Sequence, residues 1–252
     1  MRLTRRLIYF FSLLISTHCW AQAKLIDVYT IDFPPYIIAD EQQPNHVVGI
    51  IPDLLNLVFQ RLDVEPTYHA TSWARAFHFT TKANGVGLIP TMKVAERLEW
   101  LHYPATPLLY LKPHIITTPD NNGIHFDGDL KQLATLKVGK LRQARVAPEF
   151  DQALAEGVFK VVLRNNTDSL VKSLYTDRID VITADHRQAA YYSKQMGNQV
   201  PRIVGPALGE VPIYIAFNKQ QVDQAWVDKF DGQLKQVLAK GALAQIEARY
   251  LD

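Results

Sequence analysis

The stretch "GIIPDLLNLVFQRL", residues 49–62, carries Ile51, Leu54, Leu55, Val58 and Leu62 at helical spacing. Pro52 falls in the first turn, where a missing N–H removes no helical hydrogen bond. Upstream, the β-rich run Leu25–Ile31 stops at "FPP", so strand, loop and helix follow one another as a single α/β unit. Downstream, Thr67–Ala70 reads as another strand and Ser72 as the cap of a helix bearing Trp73 and Phe77. "ANG" then marks a turn and Val86–Ile89 a third strand. The alternation predicts a mostly parallel sheet.

The same pattern restarts after the polar interruption "PDNNGIHFDGD", residues 119–129. Leu136–Leu141 is strand-like, Pro148–Glu156 helical, Phe159–Leu163 strand-like and Thr167–Tyr175 helical. "DVITAD" is a strand ending in Asp185 before the helix His186–Met196. Two α/β units are therefore expected. In Val222–Tyr250, Trp226, Phe230, Leu234 and Val237 form one apolar stripe and Gly241 marks a break. The strand-like "VPIYIAFN" before it offers a way back to the first unit.

With 252 residues, 48% hydrophobic and 21% charged, the chain has material for one or two globular cores. Its first residues read as an export signal: Arg2, Arg5 and Arg6 precede the apolar run Leu7–Ile15, and "AQA" supplies the small residues of a cleavage site after Ala23. A membrane anchor is the competing reading, but the run is short for a bilayer span and is broken or followed by Ser12, Ser16, Thr17 and His18. The single cysteine, Cys19, lies inside this signal, and "STHC" lacks the small apolar residues that precede a lipidated cysteine. A mature chain beginning at Lys24 is thus cysteine-free and held by its cores alone. Losing the three arginines from 27 basic residues leaves 24 against 25 acidic, a balance that gives no general case for nucleic acid or an anionic membrane.

The motifs of common chemistries are missing. There is no H-E-x-x-H, G-x-S-x-G or P-loop, and "GVGLIP" lacks the third glycine of a dinucleotide fingerprint. His46, His69, His78, His102, His114, His125 and His186 are scattered without metal-ligand spacing. The residues call for no cofactor and no metal.

Taken in order, "TIDFPPYI", "GIIPDLLNLVFQRL", "TSWARAF", "MKVAERLEW", "LATLKVGK", "LYTDRIDVITAD" and the terminal helices resemble the periplasmic amino-acid-type solute-binding proteins of ABC importers, over essentially the whole mature chain. The resemblance implies a two-lobe type II periplasmic-binding-protein fold, α/β with mixed sheets flanked by helices, and two hinge crossings near Leu108–Pro113 and Leu208–Ile213. It divides the chain into a signal peptide at 1–23, a first lobe at 24–110, a second at 111–210, and a return to the first at 211–252.

The resemblance also implies site residues. Arg97, beyond the third strand, matches the family arginine whose planar donor fork takes a ligand carboxylate. The alternative is an ion pair with Glu96, Glu99 or a helix terminus. Asp185 matches the acid that holds the ligand's ammonium, and it also suits an N-cap for the following helix. Phe33 and Trp73 match wall positions, with core packing as the alternative. Five places before the arginine the family carries a hydroxyl, where this chain has Met92, with Thr91 one place off. Where the family has Gly-Thr or Gly-Ser after the first second-lobe strand, this chain has Gln143-Ala144, flanked by Arg142 and Arg145. Two arginines there could stand in for lost hydroxyl donors, or be solvated loop charges. These departures suggest that the ligand is not a standard amino acid.

The resulting expectation is a monomeric periplasmic protein that closes on a small polar, carboxylated ligand and delivers it to an ABC importer permease or a membrane sensor, without catalysis. One alternative is a dehydratase-like enzyme acting on cyclic acids in the same cleft, for which His186, Asp32 and Glu210 are the candidate acids or bases. Another is a sensory or interaction module whose cleft has lost its ligand.

Overall fold

The computed structural model describes residues 24–40, 42–43, 46–142 and 146–251. The expected signal peptide, Gln143, Ala144 and Arg145 lie outside the described residues.

The chain starts with β1 (Lys24–Thr30) and a small hairpin of β2 (Ile38–Ala39) and β3 (Val47–Val48), then enters α1 (Ile50–Gln60). Ile51, Leu54, Leu55 and Val58 are fully buried, as their spacing predicts. Gly49, ahead of α1, has φ +130°, and a side chain there would meet the Tyr36 carbonyl at 2.7 Å. This close approach lets the Pro35 and Tyr36 carbonyls accept from Ile50 and Ile51 N–H, at 3.3 and 2.9 Å. They occupy donors that the start of a helix leaves unsatisfied.

β4 (Val64–Ala70), α2 (Trp73–Lys82), β5 (Gly87–Thr91) and the short β6 (Leu101–His102) and β7 (Leu109–Leu111) complete this part of the chain. The second part runs through β8 (Pro113–Thr117), β9 (Val138–Leu141), α3 (Pro148–Ala155), β10 (Val161–Arg164), α4 (Thr167–Tyr175), β11 (Val181–Asp185), α5 (His186–Gln195) and β12 (Arg202–Val204). β13 (Val211–Asn218), α6 (Gln224–Ala239) and α7 (Ala242–Leu251) follow, with Gly241 at φ +74° between the last two helices.

The elements form two main sheets. One is ordered β4-β1-β5-β13-β6 with β7 also on β13, the other β10-β9-β11-β8-β12. The βα units give parallel pairs, β1 with β4 and β5, and β9 with β10 and β11. β13 runs antiparallel to β5, β6 and β7, and β8 antiparallel to β11 and β12. The sheets are therefore mixed, less parallel than the alternation alone predicts. The physical reason lies in the connections: a helical crossover within a unit returns the next strand in the same direction, whereas β8 and β13 arrive from the other sheet and run oppositely.

Each sheet has its own apolar core. α1, α6 and α7 bury Phe59, Phe230 and Leu234 against the first sheet. In the second half, Phe150 and Phe159 pack on one side, and Leu170, Val171 and Ile182 form a separate cluster. β7 and the start of β13 pair side by side beside the passage from one sheet to the other, with Leu109 opposite Ile213 and Leu111 opposite Val211.

Candidate functional site

A cleft of about 1170 Å³ opens between the two sheets. Residues at or just beyond the carboxyl ends of β1, β5, β9 and β11 line it, namely Ile31, Thr91, Leu141 and Asp185. That end of an open α/β sheet is where ligands are generally bound. Of the residues singled out from sequence, Phe33, Trp73, Thr91, Met92, Arg97, Arg142 and Asp185 all line this cleft.

Arg97 ends a single 3-10 turn after β5. Its Nη1 donates to Thr91 Oγ1 at 2.9 Å and to the Met92 carbonyl at 3.1 Å, and the guanidinium lies 4.8 Å from the Trp73 ring centroid. Every one of these partners is neutral. Among the described residues it forms no ion pair, with Glu96, Glu99 or any other acid. Tyr103, whose hydroxyl burial pushes to a higher pKa, supports the arrangement by donating to the same Met92 carbonyl at 3.2 Å. Thr91 thus orients the arginine although it is one position off the family pattern. The Met92 side chain is exposed, and its role here falls to its backbone oxygen.

Asp185 is 6% exposed and already surrounded by donors. Oδ1 accepts the Tyr36 hydroxyl at 2.6 Å and the Arg187 N–H at 3.0 Å, which makes Asp185 the N-cap of α5. Oδ2 accepts the Lys112 N–H at 2.8 Å and lies 3.8 Å from the Arg187 guanidinium. The Tyr36 bond ties the loop after β1 to the end of β11. Burial first, and then the Asp185 charge, raise the Tyr36 hydroxyl well above its ordinary pKa, so it remains a donor. A second tie runs from Gln188 Nε2 to the Pro34 carbonyl at 3.3 Å, and a third from Arg187 Nη2 to Glu247 of α7 at 3.0 Å.

Phe33 stacks on Tyr36 with centroids 5.4 Å apart, so one face of the wall is fixed by the residue that holds Asp185. Trp73 is tilted against Phe77 at 6.3 Å. Both walls are half-buried, packing on the core and facing the cleft at once. Arg142, just beyond β9, is exposed; its Nε donates to Asn165 at 3.2 Å, and it forms no ion pair among the described residues.

Sequence reasoning missed several lining residues. Lys140, only 7% exposed, stands in β9 between Gly139 and Leu141 and donates to the Leu141 carbonyl at 3.2 Å. Its signal was a lysine where an inward apolar residue is usual. Gln188, Thr183 and Asp151 also line the cleft, with Asp151 Oδ2 accepting the Val146 N–H at 3.3 Å. Nothing local marked Tyr36 as a partner of Asp185, since 149 residues separate them.

The candidate acids and bases for catalysis sit elsewhere: none of the three lines the cleft. His186 Nε2 is 2.8 Å from the Pro201 carbonyl, Asp32 accepts the Ala39 N–H at 3.0 Å, and Glu210 pairs with Lys112 at 2.7 Å.

The family model described as bacterial extracellular solute-binding proteins, family 3, matches residues 26–252. Curated proteins give no match. Among solved structures, the probable amino-acid ABC transporter extracellular-binding protein ytmK from Bacillus subtilis is 17% identical, covering 91% of this chain and 98% of that one with a TM-score of 0.76. The second substrate-binding domain of Lactococcus lactis GlnP, in its open conformation, is 17% identical over 90% and 95%, with a TM-score of 0.74. An ancestral arginine-binding protein bound to arginine is 21% identical over 92% and 100%, with a TM-score of 0.67. At these identities the likeness is one of fold.

Proposed function

The chain belongs to the bacterial extracellular solute-binding proteins, family 3, and on that premise we propose that its cleft captures a small carboxylated ligand by closing two lobes around it. The observation that carries this reading is Arg97: a guanidinium lining the cleft, fixed by neutral acceptors and unpaired with any acid among the described residues. A carboxylate meeting that fork gains charge-assisted hydrogen bonds that water-exposed partners do not match. Phe33 and Trp73 supply apolar walls for the ligand's body.

The lobes in this reading are residues 24–110 with 211–252, and residues 111–210. The side-by-side pairing of β7 with β13 next to the crossings supports that division. Closure is favoured only by contacts made to both lobes at once. Delivery is to an ABC importer permease or a membrane sensor, by a monomer that works in the periplasm after cleavage behind Ala23. The reading is one of binding and release, with no chemical step.

The test is a thermal-shift and calorimetric screen of small carboxylic acids against the wild type and Arg97→Ala. A ligand of the folded state raises the melting temperature by mass action, and the rise should vanish in the variant. A carboxylate that binds both proteins equally would remove Arg97 from the site.

A further inference from the structure

The strand pair beside the crossings has a different cavity on each face. Leu111 of β7 and its partner Val211 of β13 line the cleft, as does Ile213. Tyr110 and Lys112, the sequence neighbours of Leu111, line a second cavity of about 300 Å³. Successive side chains of a strand point to opposite faces, so this cavity lies behind the ribbon as seen from the cleft. Arg187 from α5, Leu238 from α6 and Leu243 from α7 complete it.

The last helix, α7, reaches across this rear side. Toward α1, Tyr250 donates to Asp53 at 2.9 Å and Arg249 pairs with the same carboxylate oxygen at 3.1 Å. Toward α5, Glu247 pairs with Arg187 at 3.0 Å, and the Leu251 carbonyl accepts from Lys194 Nζ. Glu247, Lys194 and Leu251 do not line the cleft, whereas Asp185 and Gln188, which carry the other ties between the halves, do. The side chains of Arg187 and Glu247 are 27% and 18% exposed, so water screens this pair less than it screens a fully exposed one.

A rotation about the ribbon that narrows the cleft in front widens the space behind it. We propose that the contact of α5 with α7 is a rear latch, which holds the cleft open and must part before the cleft can close on a ligand. Glu247 is then a positioning residue that sets affinity without touching the ligand. The inference rests on the reading of a cleft that closes on a carboxylated ligand, and it adds the group that opposes closure. The apparent affinity of such a protein is its intrinsic affinity scaled by the fraction of molecules able to close, so a weaker latch gives tighter binding.

The experiment measures, on the full mature chain, calorimetric affinity for L-arginine, L-glutamine, L-glutamate and succinate, together with melting of the ligand-free protein. Glu247→Gln removes the ion pair and should tighten binding of whichever probe binds by about three-fold. Glu247→Lys sets a like charge against Arg187 and should tighten it by about ten-fold or more. Lys194→Met, at the other contact, should act in the same direction as Glu247→Gln. Melting of the ligand-free variants should not rise, so affinity and stability move apart, whereas a merely structural Glu247 would lose stability with affinity unchanged or weaker. That second pattern overturns the latch, and loss of binding in Arg97→Ala alongside it would leave the carboxylate reading standing. Tighter binding in the Glu247 variants that survives Arg97→Ala would keep the latch and remove Arg97 from the site. Failure of every probe to bind any of these proteins would overturn both.

Discussion

Arg97 and Asp185 line the same cleft from opposite sheets, and their surroundings differ in kind. The arginine donates to a threonine hydroxyl and a backbone carbonyl, which orient its fork without neutralising it. The aspartate accepts from a phenol and two backbone N–H groups and sits beside a guanidinium, so its charge is answered by the protein itself. A family-matched charge is available to a ligand only where the fold leaves it unanswered. On that criterion Arg97 is the charge that the proposed function assigns to a ligand, while Asp185 holds the two halves together.

The largest effect expected from this contrast is on Arg97. Arg97→Ala should lower carboxylate affinity by on the order of 3 kcal/mol, about a hundred-fold or more, because it leaves the ligand anion unpaired in the cleft. Melting of the ligand-free protein should barely change, and Arg97→Lys should restore only part of the affinity, since an ammonium cannot make two parallel bonds. A destabilised Arg97→Ala variant with intact affinity would reverse the assignment.

Asp185→Ala should act on stability instead. Removing the carboxylate strands the buried Tyr36 hydroxyl and uncaps α5, at a cost of about 2 kcal/mol, read as a lower melting temperature without ligand. If the variant melts like the wild type but loses an amine-bearing ligand, the two walls are functionally alike and the contrast is broken.

Tyr36→Phe removes one bond of the same tie and keeps the ring stacked on Phe33. About 1 kcal/mol of stability should be lost, less than for Asp185→Ala, because the two N–H donors to Asp185 remain. Equal losses for the two variants would mean that the phenol carries the whole tie.

The smallest effect is a pH dependence. The Tyr36 hydroxyl is held well above its ordinary value of 10.0, and burial, with the Asp32 charge next, pushes Tyr192 up to about 12. Above pH 10 the unfolded chain has released phenolic protons that the folded chain retains, so stability falls as pH rises; below that value these contributions are complete. Denaturant midpoints should therefore decline on the alkaline side, and Tyr36→Phe should make the decline shallower. An unchanged slope in that variant would show that Tyr36 does not titrate apart from the unfolded state.

Much of the fold was legible because local pattern and burial agree. The face of Ile51, Leu54, Leu55 and Val58 in α1, and the stripe of Phe230, Leu234 and Val237 in α6, are buried as their spacing requires. Gly241 separates α6 from α7 where the break was read. Strand directions were less legible, since β8 and β13 look like any apolar strand until their origin in the other sheet is known. In the site, matched positions brought Phe33, Trp73, Arg97, Arg142 and Asp185 to one cleft. Sequence did not reveal Lys140 as a lining residue, nor Tyr36 and Gln188 as ties between the halves, because such contacts join residues far apart in the chain.

The sequence by itself determined the elements, the two-unit order and the residue types available at each strand end, since helix and strand periodicities and caps are local properties of the chain. Asp185 as an N-cap belongs to that class: an acid directly before a helix accepts a nearby N–H whatever surrounds it. Tertiary structure alone decided which charges stay available. The Tyr36 hydroxyl reaches Asp185 only because the α1 entry, with Gly49 pressed against the Tyr36 carbonyl, holds the "FPPY" loop against the end of β11. Arg97 stays unanswered because the turn after β5 points it at Thr91 and the Met92 carbonyl instead of at Glu96 or Glu99. Hydrogen bonds and ion pairs act over a few ångströms of space, and only the folded chain sets which groups come within that reach.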